Sequence, residues 1–160
     1  MDQMTPDEKR ALKRRMKSAS RLYAVQALFQ MESAGQTVDK VQVEFETHRF
    51  GMVTEEGAFE EGNPTVFRAL LESAVTHQAK IDQMTDRALV AKWPLGRIDP
   101  TLRALFRAAG GEMLDHDTPP KVVINEFVEV ARAFFPAGKE AGFVNAVLDH
   151  MAREAKPDAF

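Results

Sequence analysis

The sequence predicts an all-α protein of about seven helices. Apolar residues recur at three- and four-residue spacing in successive segments. No segment alternates apolar and polar residues with period two. Residues that favour helix caps stand directly before prolines at Thr5-Pro6, Asn63-Pro64, Asp99-Pro100 and Thr118-Pro119-Pro120, the order that opens a helix.

The elements follow in chain order. Thr5-Pro6-Asp7-Glu8 supplies a cap, a first-turn proline and a capping box, and nothing breaks the helix before Gly35. Thr37 to about His48 predicts a second helix, with Val38, Val41 and Phe45 on one stripe. Residues 49–63, RFGMVTEEGAFEEGN, are glycine-rich and acidic and predict a long loop. From Asn63-Pro64, the positions Phe67, Leu70, Leu71, Ala74, Gln78 and Ile81 keep helical spacing. That pattern runs on weakly to Trp93, and so long a span predicts a bend near Lys80-Ile81-Asp82. Trp93-Pro94-Leu95-Gly96 is a stop. Asp99-Pro100 opens a helix that buries Leu102, Leu105, Phe106, Ala109 and Met113. The next, from Thr118-Pro119-Pro120, buries Ile124, Phe127, Val128, Ala131 and Phe134. After PAGKEAG the last helix carries Phe143, Val144, Val147, Leu148 and Met151, and the tail AKPDAF is expected to fray. The chain reads as one unit over 1–160, with two helical subdomains, about 5–92 and 97–153, as a possible division.

Composition narrows the function classes. The apolar fraction of 44% is ordinary for a globular chain, and no run of about 18 apolar residues suggests a membrane span. The opening MDQMTPDEKR has neither the apolar stretch of a secretory signal nor the acid-poor start of a transit peptide. The chain has no cysteine, which removes disulfides, thiolate metal sites and cysteine nucleophiles and fits a cytoplasmic setting.

Charge is unevenly placed. Residues 9–31 hold Lys9, Arg10, Lys13, Arg14, Arg15, Lys17 and Arg21 and no acid, in a chain of net charge −3. At 100° per residue, Arg10, Arg14, Lys17 and Arg21 fall within about 60° of one another, while Leu12, Met16, Ala19 and Tyr23 take the far side. The first helix is therefore expected to dock by one face and to project a basic handle. Like charges at three- and four-residue spacing repel, and cations near a helix N-terminus oppose its dipole. An arrangement that costs stability implies an anionic partner. Three apolar residues, Leu12, Met16 and Ala19, are thin for membrane insertion, so nucleic-acid phosphate is the better match. Ser18 and Ser20 add hydroxyl donors.

Five stretches carry a resemblance. They are the basic start leading into RLYAVQALFQ; VFRALLESAV; the ID…W stretch leading into RIDPTLRALFRAAGGEML; PPKVVINEFVEVARAF; and FVNAVLD. In this order, over residues 12–152, the chain resembles the NusB family of bacterial transcription antitermination factors. The resemblance implies an all-helical fold of two packed bundles. It also implies binding to single-stranded boxA-type RNA together with NusE, a small-subunit ribosomal protein. The expected setting is the transcription elongation complex, especially on ribosomal RNA operons, and no catalysis or cofactor is implied. The family's arginine-rich motif matches Lys13, Arg14, Arg15, Lys17 and Arg21, with Ser18 and Ala19 standing where further basic residues are expected. Arg107 and Phe143 resemble RNA-facing positions. Arg97, Leu102 and Arg103 fall in the region implied to meet NusE. Gly110-Gly111 departs from the pattern, which has an apolar or aromatic residue there, and each glycine costs a helix about 1 kcal/mol relative to alanine.

Other candidates are set aside. His48, His77, His116 and His150 show no metal-ligand spacing. Asn125-Glu126 and Asn145 read as polar groups satisfying helix ends or helix–helix bonds, since no nucleophile or metal partner accompanies them. Trp93 reads as core. Two alternatives stay open. One is a NusB-like domain of a ribosomal RNA methyltransferase system, which would need a cofactor-binding half beyond Phe160. The other is a helical interaction scaffold with no RNA role.

Overall fold

A computed structural model describes residues 3–90 and 98–160. Among these, seven α-helices form the fold: α1 Pro6–Ala34, α2 Val38–Glu44, α3 Pro64–Thr76, α4 Gln78–Val90, α5 Pro100–Asp115, α6 Pro120–Phe134 and α7 Lys139–Ala155. The Thr5 hydroxyl accepts from Glu8 N at 3.1 Å, and Gly35 at φ +65° ends α1 in the left-handed conformation. Asn63 and Asp99 cap α3 and α5 as their spacing predicts. Thr118 does not cap α6. Its hydroxyl is spent on the Glu112 carboxylate, and Pro119 stands at the cap instead.

Four expectations shift. The second helix ends at Glu44 and passes into a π-helical turn, Phe45–Arg49. Within the acidic loop, β1 Val53–Thr54 pairs antiparallel with β2 Gly57–Ala58. The rings of Tyr23, Phe45, Phe50 and Phe67 close around one another at 4.9–6.3 Å and tie this segment to α1 and α3. The break expected near Lys80–Asp82 comes earlier, at His77, whose ring is held by Asp115 at 2.8 Å. The tail is partly ordered, with a 3₁₀ turn at Pro157–Ala159 and the Arg153 guanidinium over the Phe160 ring. Trp93 and the stop at 93–96 lie outside the described residues.

Helix α5 is the hub. It packs against α1, α3, α4, α6 and α7, and Leu105, Phe106, Ala108 and Ala109 are fully enclosed. The two glycines of α5 acquire a reason here. A Cβ on Gly110 would lie 2.5 Å from Ile81 Cγ2, and one on Gly111 would lie 2.8 Å from the backbone nitrogen of Ala74. They let the α5 backbone meet the α3 backbone at Gly111 and the Ile81 side chain of α4 at Gly110. Helix propensity alone predicts that Gly111→Ala stabilises by about 1 kcal/mol. Steric overlap with a backbone atom predicts the opposite, a loss of about 1–3 kcal/mol. The expected result of thermal melting is a lower midpoint for Gly111→Ala; a raised one would reject the close-approach account.

Candidate nucleic-acid interface

The handle forms as the charge pattern predicts. From Pro6 to Ala19 no residue of α1 is buried, and the first enclosed residue is Ser20. Ser20 pins the helix where it enters the body: its hydroxyl donates to Met16 O at 2.7 Å and accepts from Asn63 N at 2.8 Å. On the projecting half, Arg10 pairs with Asp7, and Arg15 reaches Glu60 at 3.4 Å. Among the described residues no carboxylate lies within ion-pairing distance of Lys9, Lys13, Arg14 or Lys17. Arg14 and Lys17 line one wall of an open groove of about 820 Å³. The opposite wall is the α5–α6 connection with the start of α6, including His116, Thr118, Pro119 and Val122. That connection is fixed by Ser73, whose hydroxyl meets His116 Nε2 at 3.1 Å, and by Lys156, which donates to His116 O at 2.7 Å.

Arg21 corrects the stripe. It shares the angular face of Arg14 and Lys17, but one turn further on that face no longer points to solvent. Its side chain is 3% exposed and makes two 2.8 Å hydrogen bonds to Glu112 of α5, itself 1% exposed. A second carboxylate, Glu126 of α6, lies 3.6 Å away. The uncompensated cation expected at this position is therefore a compensated one inside the protein. Burial opposes the charge on Arg21, but the Glu112 hydrogen bonds and the charges of Glu112 and Glu126 together more than offset it, and the guanidinium is held protonated. Ser18 donates its hydroxyl to Glu126 at 3.0–3.2 Å. The signal for this network was a lone carboxylate in the small, apolar run AAGGEML. Glu112 there demands a buried cation.

The remaining candidates lie elsewhere. Arg107 is held by Asp82 through two bonds of 2.9–3.0 Å, with Glu32 at 3.6 Å. Glu32 is about 27 Å along α1 from Arg14, at 1.5 Å per residue. Arg107 thus belongs to a different cluster, shared with Arg103, which bonds Glu32 at 2.5–3.2 Å. Leu102, expected as a contact residue, is 7% exposed and packs in the core. Arg97 lies outside the described residues. Phe143 is half-buried against the core, edge-on to Phe106 at 6.3 Å. The structure therefore brings together Arg14, Lys17 and Ser18, with Lys13 and Arg15 beside them, and leaves Arg107 and Phe143 apart. Among the described residues, no three His, Asp or Glu side chains gather as a metal site, and no helix is long and apolar enough to cross a membrane.

Comparison with known proteins adds a second line. The model of the NusB family matches residues 18–153. The transcription antitermination protein NusB of Maricaulis maris is 45% identical over 157 residues, covering 98% of this chain and 96% of that one. The protein of the same name from Caulobacter vibrioides is 46% identical over 141 residues, covering 88% and 94%. Among solved structures, T. maritima NusB superposes with a TM-score of 0.68 at 27% identity, covering 90% of this chain and 96% of that one. A structure of antitermination factors NusB and NusE with double-stranded RNA gives 0.64 at 21% identity, covering 88% and 98%, a likeness of fold.

Proposed function

We propose that this chain, which belongs to the NusB family, binds boxA-type single-stranded RNA together with NusE and supports processive transcription of ribosomal RNA operons. The carrying observation is the projecting half of α1, where Lys13, Arg14 and Lys17 stand exposed with no carboxylate at ion-pairing distance among the described residues. Phosphate is the partner that such a surface fits. A structure of like fold that holds NusB and NusE with double-stranded RNA supports pairing RNA with NusE here. For NusE, the reading keeps the surface the resemblance implies, around Arg97, Leu102 and Arg103. The working site is the elongation complex in the cytoplasm, and no catalytic step forms part of the reading.

The body of the chain is acidic, so attraction of RNA to the handle alone is modest. Titration of one boxA-like RNA should therefore give weak binding by this protein and tighter binding once NusE is added. Equal affinity in both cases rejects the joint site. Arg14 and Lys17 together should account for a slope of about −1.4 in log K against log salt, at about −0.7 per phosphate contact. The Arg14→Ala, Lys17→Ala variant should lose that part of the slope and keep its helical circular dichroism. An unchanged slope removes the handle from the RNA site, and with it the scaffold alternative becomes the better reading.

A further inference from the structure

The groove beside α1 has cations on one wall, yet a carboxylate opens into it. Glu126 lines the groove with Arg14 and Lys17, and also the one on the other side of α1 with Arg15 and Leu22. Its side chain is 30% exposed. Ser18 holds it, but a serine hydroxyl has one proton to give, so it satisfies one carboxylate oxygen at a time. Arg21 does not complete the set. Two of its donors are committed to Glu112, and its Nη1 stands 3.6 Å from Glu126 Oε2, beyond hydrogen-bond range. Glu126 is therefore a carboxylate fixed by packed helices with most of its acceptor capacity unspent. Of the other acids on this groove, Asp115 is taken by His77, and Asp117 stands on the exposed connection between α5 and α6.

Such a group repels phosphate and accepts from a donor. Single-stranded RNA presents its donors on the Watson–Crick edges of unstacked bases. Guanine places two donors side by side there, N1–H and the N2 amino group, matching the two oxygens of a carboxylate. Cytosine and adenine each set one amino donor beside an acceptor nitrogen, and uracil sets one N–H between two carbonyls. We propose that Glu126 is a base-reading residue that selects guanine in the strand whose phosphates Arg14 and Lys17 neutralise. The inference rests on the RNA-binding reading above.

The probes are three short oligouridines of equal length with one central guanosine, inosine or adenosine, followed by fluorescence anisotropy at fixed salt. The guanosine strand should bind about tenfold tighter than the adenosine strand, the scale of one bidentate pair. Inosine, which lacks the N2 amino group, should fall between. Glu126→Gln should erase the difference, while Arg14→Ala should weaken all three strands alike. Wild-type binding with no guanosine preference, or a preference that survives in folded Glu126→Gln, overturns the role of Glu126 and leaves RNA binding standing. No salt-dependent binding of any strand overturns both. Should Glu126→Gln fail to fold, the guanosine–inosine gap in the wild type decides: a gap supports the reading, and its absence rejects it.

Discussion

Glu112→Ala is expected to cost about 3–5 kcal/mol, because it leaves the Arg21 guanidinium buried without its hydrogen-bonded anion. For a chain of this size that lowers the melting midpoint by roughly 6–20 °C. The pair itself is a poor source of net stability, since its Coulomb attraction is set against the desolvation of two ions. Replacing both partners with apolar residues of similar volume, as Arg21→Met with Glu112→Leu, should therefore recover much of what the single change loses. The two measurements belong together: a single variant within 1 kcal/mol of wild type would show that water or Glu126 compensates Arg21.

The same pair sets an acid limit. Burial raises the Glu112 pKa, but the Arg21 hydrogen bonds and charge, with the Thr118 hydroxyl and His116, together lower it by more, so the carboxyl lies below its ordinary value. A carboxyl depressed on folding contributes stability that is fully present above its unfolded pKa. That contribution is lost as pH falls through the depressed folded value. Wild type should thus lose stability in acid more steeply than the double apolar variant does. The comparison also isolates the handle, because the double variant keeps Arg14 and Lys17 exposed.

Local chemistry was legible from the residues alone, and proximity between distant residues was not. The ends of α1, the prolines that open α3, α5 and α6, and the buried stripes of α5 and α7 follow from cap chemistry and spacing. The projecting handle followed from charge and period together. What periodicity could not give is where a helix passes from solvent into the body. Arg14 and Arg21 are equivalent by angle, and they part only because α5 brings Glu112 to one of them. Gly110 and Gly111 looked like a defect of the helix for the same reason, since the atoms that require them sit on α3 and α4. At the break, His77 is bonded to Asp115, 38 residues away in sequence.

Phe143→Ala is expected to cost about 3 kcal/mol of stability, the low end for truncating a buried phenylalanine, because the ring is only half-buried. It packs edge-on against Phe106, which has no exposed surface, so truncation opens a gap beside a core ring. A base-stacking platform behaves differently. Its loss leaves melting almost unchanged and removes about 1–3 kcal/mol of RNA binding. Position favours the packing role. Phe143 is level with Phe106 near the start of α7, whereas Lys156 at the far end of that helix meets His116 beside the handle. Along that helix the ring lies about 20 Å from the groove wall at His116, at 1.5 Å per residue. One purified variant answers both points. A lowered midpoint with RNA affinity unchanged per folded molecule places Phe143 in the core. An unchanged midpoint with weakened binding would instead extend the RNA path along α7.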